Sequence, residues 1–318
     1  TERRILAQYT GWGAVTEEVF KTDYTRVADR GESSWYWHNM TDKEKAGYAK
    51  WKKRVGEKLY PGLGGILTEE EWAAARESGL NAHFTSREVI EHGLWALARR
   101  LGFESGTVLE PAAGVGHILG LIPEELSGRV RMMGVELDNI TGTMLKQLYP
   151  DAEVQVTGFE DARGLADNTA DLVISNFPFG KYEIFDKQHP DYSGWSIHNY
   201  FFARSLDVVR PGGLVVAITS HWTMDATTNG EIRKYLAQKA DLIGAIRLPN
   251  TAFEDNAGTE VVTDILVLRK KTGEILPGID EWRLVMPTKT EKDKEVSINE
   301  YFIRHPEMIL GKNSTAAT

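Results

Sequence analysis

Four residues at the end of one apolar run are the strongest candidates for chemistry in this sequence. The run Asp171–Ser175 (DLVIS) is followed by Asn176, Phe177, Pro178 and Phe179. An apolar run with β-branched residues predicts a buried parallel strand, and ligands of an open α/β sheet lie beyond the carboxyl ends of its strands. These four residues are therefore predicted to meet a flat, nitrogen-bearing molecule at that edge.

The types of these residues suit the binding of an amino group on a ring. Asn176 can accept a hydrogen bond through its side-chain carbonyl. The backbone carbonyl of Phe177 is held beside it, because a residue before proline is confined to extended geometry. Two acceptors on one amine leave its lone pair less conjugated with the ring, and Phe179 can stack on that ring, as for a flipped-out base. The alternative is a strand-ending turn with core aromatics.

A second candidate region is the glycine-containing loop Glu110–Gly116 (EPAAGVG), which follows the predicted strand Gly106–Glu110. Its two glycines allow close approach of the backbone to a ligand, but the GxGxxG pattern of nicotinamide enzymes is not present. Glu136 ends the next predicted strand and suits a ribose diol. Asp138 competes for that role, and an acid here is also favoured at a helix N-terminus.

A third region, after the predicted strand Glu153–Val156, contains Phe159, Glu160 and Asp161. Phe159 could lie on the face of an adenine ring, and one of the two acids could accept a hydrogen bond from its exocyclic amine. This is the least specific of the three patterns.

The alternation of strands and helices from residue 106 onward predicts an α/β fold, a doubly wound sheet of seven strands. The last two strands are joined by a polar loop without a helix pattern, so they could be antiparallel. The predicted strands are Gly106–Glu110, Arg131–Leu137, Glu153–Val156, Asp171–Ser175, Leu214–Thr219, Leu242–Arg247 and Val261–Leu268. The predicted helices between them are Asn139–Leu148, Ile197–Val209, which ends at a Pro211–Gly213 turn, and Ile232–Lys239.

The chain divides into a helical N-terminal extension (1–80), a catalytic domain (81–271) and a small C-terminal extension (272–318). In the first part, Thr41 and Glu44 form a capping-box pattern that predicts a helix over Thr41–Leu59. Lysines in this helix alternate with Tyr48 and Trp51. They form either a nucleic-acid-facing surface or a solvated face with the aromatics packed inward. Further helices are predicted over Thr68–Ser78 and after the N-cap Ser86.

Composition limits the class of protein. The net charge is −9, yet residues 1–60 carry 12 Lys and Arg against 9 Asp and Glu, so a polyanion must use a local patch or a partner domain. There are no cysteines, which excludes disulfides and thiolate metal sites. The histidines show no metal-site spacing, and no apolar run reaches the roughly 18 residues of a membrane span. We expect a cytoplasmic protein, and its first residue, Thr1, indicates a processed chain or a fragment.

Together these motifs resemble those of S-adenosylmethionine-dependent amino-methyltransferases. In such enzymes an (N/D)PP(Y/F/W) tetrapeptide follows the fourth strand, behind an EPAxGxG loop. His83–Phe84–Thr85 fits the (F/Y)T element that precedes this loop in adenine-N6 DNA methyltransferases. The match extends over residues 80–270. The strings AQYTGWG, LNAHFTS, SIHNYFF, RPGG and AIRLPNTAF resemble the methylase region of large plasmid- and phage-borne proteins that fuse an N6-adenine methylase to a helicase-like ATPase.

This resemblance implies a Rossmann-like methyltransferase sheet, the cofactor S-adenosylmethionine, and two partners: DNA and a helicase-like domain of the same parent chain. It assigns the target amine to Asn176, Phe177, Pro178 and Phe179. The implied cofactor pocket contains Phe84, Thr85, Glu110, Ala112, Gly114, Gly116, Glu136, Phe159 and Glu160. Two departures matter: Phe177 replaces the first proline of the tetrapeptide, and Gly158 stands where an Asp is common, so we expect Glu160 to take the acceptor role.

The implied reaction is methyl transfer to the N6 amine of adenine in DNA. It needs alignment more than a strong base, because the sulfonium methyl is already activated. Two alternatives stay open: methylation of a guanine amine in RNA or a glutamine amide in protein, and a degenerate module that binds DNA or a helicase partner. Around the target, Asn199 or Tyr200 could reach the pocket, although a core helix face is the favoured interpretation. His221, Trp222 and Thr223 could form a lip, and the favoured alternative is core packing.

Overall fold

A seven-stranded sheet forms the centre of the structure, a computed structural model that describes residues 24, 27, 30–53, 85–178, 180, 182–249, 262–273, 281–289 and 295–311. Two short hairpins accompany the sheet. In chain order the strands are Gly106–Glu110 (β1), Val130–Glu136 (β2), Glu153–Val156 (β3), Ala170–Asn176 (β4), Glu183–Ile184 (β5), Trp195–Ser196 (β6), Val209–Ser220 (β7), Ala240–Arg247 (β8), Thr263–Lys270 (β9), Val285–Lys289 (β10) and Glu295–Asn299 (β11).

The order across the sheet is β3-β2-β1-β4-β7-β9-β8. Strands β3, β2, β1, β4 and β7 are parallel, whereas β9 is antiparallel to both β7 and β8. The doubly wound α/β fold and the antiparallel end of the sheet are therefore confirmed. Because the chain winds outward from β1 in one direction and returns beside it at β4, the sheet has a switch point there, where ligands of this fold class bind.

Helices cover both faces of the sheet. They are Trp35–His38 (α1), Asp42–Trp51 (α2), Ala96–Arg100 (α3), His117–Gly120 (α4), Asn139–Leu148 (α5), Ile197–Val208 (α6), Trp222–Asp225 (α7), Gly230–Lys239 (α8) and Glu300–Arg304 (α9). Helix α3 continues the π-helical segment Val89–Trp95. Single 3₁₀ turns lie at Glu124–Leu126, Phe159–Asp161, Thr227–Asn229, Glu281–Arg283 and Pro306–Met308. Among these helices, none is long and apolar enough to cross a membrane.

Two hydrophobic clusters lie on opposite faces of the sheet. One contains Phe202 and Leu206 of α6 with Val173 and Val215 of the sheet. The other packs the segment before α3 against the alternate strand residues, among them Leu172 and Ile174. Each fully buried Leu or Phe contributes roughly 1.5–3 kcal/mol relative to an exposed one, so the sheet edge that carries the candidate site rests on a rigid core.

One predicted boundary was wrong. Residues Pro211–Gly213 do not separate a helix from a strand but belong to β7, where the register jumps from Val209 opposite Ala170 to Leu214 opposite Leu172. The extra residues form a bulge. A Cβ on Gly213 would lie 2.8 Å from the carbonyl oxygen of Asp171, so only glycine fits there.

The N-terminal capping box is present. Thr41 Oγ1 accepts from the Glu44 N–H at 3.3 Å, and Glu44 Oε2 accepts from the Thr41 N–H at 2.8 Å. Tyr48 and Trp51 are buried, in agreement with the alternative in which the aromatics of this helix pack inward. Residues 54–59, the predicted helix Thr68–Ser78, and the site residues Phe84 and Phe179 lie outside the described residues.

The C-terminal segment packs on the sheet unit. Asn299 donates its backbone N–H to Oδ1 of Asp225 at 2.9 Å and its side-chain amide to the Met224 carbonyl at 2.9 Å. Asp225 and Asp264 both bond the buried guanidinium of Arg247. Because one partner removed from such a buried pair leaves an uncompensated charge, this contact fixes α7 firmly to β8. Asn299 then binds the C-terminal segment to α7.

Candidate active site

The carboxyl ends of β1, β2 and β4 bring Glu110, Glu136 and Asn176 to one edge of the sheet. The loop after β1 is bound to β2: Ala113 donates its N–H to the Val135 carbonyl at 2.9 Å. Gly114 donates its N–H to Oε2 of Glu136 at 2.7 Å. The glycine loop and the acid of the second strand are therefore one structural unit.

Glycine stands at two positions of this loop for different physical reasons. Gly114 has φ +54°, and a Cβ placed on it would meet no atom within 4 Å, so this side of the loop is open to a ligand. Gly116 has φ +83° at the N-cap of α4, and a Cβ there would collide with Leu145 and Tyr149. Ala112, between strand and glycine, packs against the central core.

Glu110 and Glu136 are both buried, and burial raises the pKa of each carboxyl. Burial raises the pKa of Glu110 well above its usual range, although the Leu119 N–H lowers it; the nearby charge of Glu136 raises it further. Burial also raises the pKa of Glu136 to about 7, against the opposing effect of the Asp138 and Gly114 N–H groups. Within the described part of the chain, Glu110 Oε2 has no hydrogen-bond partner. A ligand that offers a cation or hydroxyl donors would relieve this cost.

Asp138 has a structural role of its own. Its Oδ1 accepts from the Thr141 N–H at 2.7 Å, so it is the N-cap of α5. The Asp138 N–H in turn donates to Glu136 Oε1 at 2.9 Å. Of the two candidate acids for the ribose hydroxyls, Asp138 caps α5, whereas Glu136 lies against the open Gly114. Glu136 is therefore the better candidate.

The turn after β3 contains Phe159 and Glu160. The Phe159 ring is buried, 5.1 Å from the ring of Phe201 between centroids. Glu160 is half-buried and folds back over Gly158: a Cβ on Gly158 would lie 2.7 Å from its Cδ. The carboxylate of Glu160 thus occupies the place where the side chain of a residue-158 aspartate would begin. Burial raises the pKa of Glu160, and Asp161 and Asp186 raise it further.

Asn176 and Phe177 end β4 at its pairing with β7. Asn176 lies opposite Ile218, and the Phe177 N–H donates to the Ile218 carbonyl at 3.0 Å. The Phe177 ring is 1% exposed and packs 4.8 Å from Phe202. The side chain that replaces the usual proline is therefore accommodated by the core. Pro178 is half-buried beside it.

Thr85 is half-buried at the entrance to the helix that begins after it. The next residue, Ser86, accepts the Val89 N–H on Oγ at 3.3 Å and so caps this helix, as predicted. The remaining predicted site residues, Phe84 and Phe179, cannot be placed because they lie outside the described residues.

Sequence reasoning gave little weight to three buried polar side chains, one in β4 and two in α6. Ser175 Oγ, His198 Nδ1 and Asn199 Oδ1 have no hydrogen-bond partner among the described residues. The Asn199 amide donates to Ser196 Oγ at 2.8 Å. Burial and, to a smaller extent, the neighbouring His221 together lower the pKa of His198 to about 4, so the ring is neutral near pH 7. In α6 the signal was present as two polar residues, His198 and Asn199, in the otherwise apolar start of the helix.

Of the three residues expected to form a lip after β7, one is exposed to solvent and two are not. Trp222 is partly exposed, whereas His221 and Thr223 are buried. The His221 ring shares a hydrogen bond with the Val262 carbonyl at 3.0 Å, and Thr223 bonds Thr219. Over the described ranges, no group of three or more His, Asp or Glu side chains converges on a metal-sized space.

Comparison with known proteins gives a consistent result. A family model described as N-6 DNA Methylase matches residues 68–300. The "Defense against restriction protein B" of Escherichia phage P1 is 30% identical over 220 residues, which are 68% of this chain and 9% of the phage protein. The chain thus spans only a small part of the length of that relative.

Solved structures share the fold. The methyltransferase subunit of a type I restriction-modification system from Streptococcus thermophilus superposes with a TM-score of 0.52 at 16% identity, over 80% of this chain and 59% of that chain. A class I S-adenosylmethionine-dependent methyltransferase from Listeria monocytogenes superposes with a TM-score of 0.51 at 16% identity, over 81% of each chain. At such identities the likeness is one of fold.

Proposed function

The chain belongs to the N-6 DNA methylase family, and from this premise we propose that it transfers a methyl group from S-adenosylmethionine to the N6 amine of adenine in DNA. The observation that carries the proposal is the arrangement of three neighbouring strand ends. Glu110 and Glu136 stand beside the open Gly114 on one side of the switch point, and Asn176 stands on the other. A donor and an acceptor molecule can meet between them.

The residues present fit the cofactor. S-adenosylmethionine offers a cationic methionine end, two ribose hydroxyls and an adenine amine, and when bound it supplies an activated methyl group. Glu110 offers a buried carboxyl whose Oε2 has no partner in the described structure, which suits an ammonium donor. Glu136 suits the ribose hydroxyls and Glu160 the adenine amine. The open side of Gly114 leaves room for the ligand backbone.

Asn176 and Phe177 would hold the target amine. The side-chain carbonyl of Asn176 and the backbone carbonyl of Phe177 each accept one amine hydrogen, and Pro178 keeps the second carbonyl in extended geometry. With both hydrogens engaged, the nitrogen lone pair is less conjugated with the ring and is aligned for attack. Because the amine proton leaves after transfer and can pass to water, no strong general base is needed.

The DNA partner requires positive charge that most of this acidic chain does not offer. Helix α2 exposes Lys43 and Lys50, and Lys53 follows it. These side chains suit contacts to phosphates. The catalytic unit would be residues 81–271, with 1–80 and 272–318 as extensions. From sequence resemblance alone, we extend the proposal to a helicase-like domain of the same parent chain as a partner.

The proposal is tested with S-adenosylmethionine carrying a labelled methyl group. Unmethylated duplex DNA, RNA and a mixed protein extract are offered in separate reactions, and the products are digested to nucleosides or amino acids. Label in N6-methyladenine of DNA is the expected result. Label in RNA or protein alone would refute the DNA substrate, and cofactor binding without transfer to any of the three would identify a degenerate binding module.

A further inference from the structure

A short hairpin separates the tetrapeptide from helix α6. Strands β5 and β6 pair antiparallel, with Ile184 opposite Trp195. Its base is bound to the start of α6, because the Ile197 N–H donates to the Tyr182 carbonyl at 3.0 Å. The first strand begins only four residues after Phe179 in the sequence. The hairpin is therefore anchored at the same sheet edge as the candidate site.

Phe185, the residue after β5, is exposed on this hairpin. Its side chain is 74% exposed, the largest fraction among the large apolar residues of the described chain, and Tyr182 nearby is 41% exposed. The Phe185 ring lies beside Gly194, where a Cβ would be 3.5 Å from Cε1. Gly194 has φ +81°, and its N–H closes the hairpin on the Ile184 carbonyl at 2.7 Å.

The exposed ring stands on a rigid base. The next residue, Asp186, has a side chain only 1% exposed. Its carboxylate accepts from the Tyr200 hydroxyl at 2.7 Å, from the His189 ring at 2.7 Å and from the Gln188 N–H at 2.7 Å. Burial alone would raise the pKa of Asp186, but these donors outweigh it and lower the pKa, so the carboxylate stays charged and bound.

The anchoring of Asp186 also fixes the backbone at the neighbouring Phe185. A Phe on a mobile loop can turn inward, but the backbone of Phe185 is held on one side by the Ile184 carbonyl and on the other by the Asp186 N–H, which donates to Ser193 Oγ at 2.9 Å. The backbone on both sides of Phe185 is thus fixed, and its apolar ring lies in solvent. Two residues further on, Lys187 is also exposed. An apolar tip with a cation close behind it matches the stacked bases and the phosphates of a duplex.

We propose that Phe185 inserts into the DNA duplex beside the target adenine and fills the space that the extruded base leaves. This inference rests on the proposed function, since an enzyme that acts on the exocyclic amine of a paired base must take that base out of the stack. Apolar side chains that enter a base step offset the cost of unstacking, which is a few kcal/mol per step. Lys187 contacts the adjacent phosphate.

The experiment compares methyl transfer by the full chain to one unmethylated DNA preparation, used as duplex and after heat denaturation. Phe185→Ala should lower the rate on duplex DNA about tenfold and change the rate on denatured DNA less than about twofold, because a single strand needs no filling of a gap. Phe185→Leu, which keeps an apolar side chain to insert, should restore most of the duplex rate. Leu284→Ala, at a residue that is 58% exposed on the C-terminal segment, is the matched control and should behave as the wild type.

The outcomes are distinct. A duplex rate of Phe185→Ala within about threefold of the wild type overturns the insertion, as does an equal loss on both DNA forms or a Leu variant no better than Ala. The thermal transition of each variant, measured in parallel, excludes a loss through misfolding. If the wild type transfers no methyl group to either DNA form, the proposed function itself fails, and this inference fails with it.

Discussion

Gly114 donates its backbone N–H to Oε2 of Glu136 at 2.7 Å, across 22 residues of sequence. The hydrogen bond joins the loop that would approach the cofactor to the acid that would hold its ribose. Because burial raises the pKa of Glu136 to about 7, the protonation of this one carboxyl changes near neutral pH. The charge of the candidate cofactor pocket therefore changes with pH near neutrality.

The affinity for S-adenosylmethionine should depend on the ionisation of Glu136. Ribose hydroxyls donate to the ionised carboxylate, and at pH 6, below the pKa of about 7, most of the carboxyl is protonated. We expect the affinity at pH 6 to be about tenfold weaker than at pH 8, measured by calorimetry. Glu136→Gln should bind weakly and almost independently of pH; an unchanged pH slope in this variant would exclude Glu136 as the source.

The stability of the cofactor-free protein should fall as the pH rises. The folded pKa of Glu136 is raised from 4.5 to about 7, so its contribution is complete below the lower value and is lost as the pH passes the upper one. The difference corresponds to about 3 kcal/mol. Thermal unfolding at pH 5 and pH 8 should show a smaller decrease for Glu136→Gln than for the wild type. An equal decrease in both proteins would place the effect elsewhere.

Gly114→Ala and Gly116→Ala should affect different properties. Gly116→Ala should mainly lower the stability of the fold, and Gly114→Ala should mainly lower the affinity for the cofactor. At Gly116 the added methyl collides with Tyr149 and Leu145 in addition to the strain of φ +83°, so the folded protein should lose about 2 kcal/mol or more. At Gly114 the methyl meets no protein atom, and we expect a loss of about 1 kcal/mol with a cofactor affinity at least about tenfold weaker. Thermal melts and calorimetry on both variants separate the effects. Unimpaired cofactor binding by Gly114→Ala would contradict the open side as the ligand side.

The carboxylate of Glu160 should be replaceable by one at position 158. Glu160→Ala removes the acceptor for the cofactor adenine and should weaken cofactor binding about tenfold. Adding Gly158→Asp introduces a new carboxylate side chain whose Cβ lies where the Glu160 carboxylate now lies. Most of the cofactor affinity should then return. Gly158→Ala in the same background is the control and should not restore binding. A double variant as weak as the single one would separate Glu160 from adenine recognition.

The sequence predicted the sheet well because its strands are continuous apolar runs with sharp ends. Strands β1 and β3 and helix α5 have the predicted bounds. The β7 bulge could not be predicted, because Gly213 is required by the carbonyl of Asp171, a contact that exists only after β4 and β7 pair. For the same reason, the core position of Phe177 depends on Phe202 and was not visible in the tetrapeptide.

The candidate site was likewise predictable from the sequence only in part. The residue types and their order along the strands predicted Glu110, Glu136 and Asn176 at one edge, since parallel strands bring their carboxyl ends together. The buried polar atoms of His198 and Asn199, in contrast, depend on how α6 packs on the sheet. Such roles need the tertiary structure, because side-chain neighbours far apart in sequence decide them.

The most direct test of the account is the effect of Asn176→Ala on methyl transfer to unmethylated duplex DNA, with cofactor affinity measured on the same preparations. The wild type should form N6-methyladenine, and the variant should lose roughly 100-fold or more in rate, as for other buried acceptors or donors at a reacting centre. Its cofactor affinity should stay within about threefold of the wild type, because Asn176 would hold the target amine and not the methyl donor. A variant that transfers methyl groups at the wild-type rate would show that Asn176 does not hold the reacting amine.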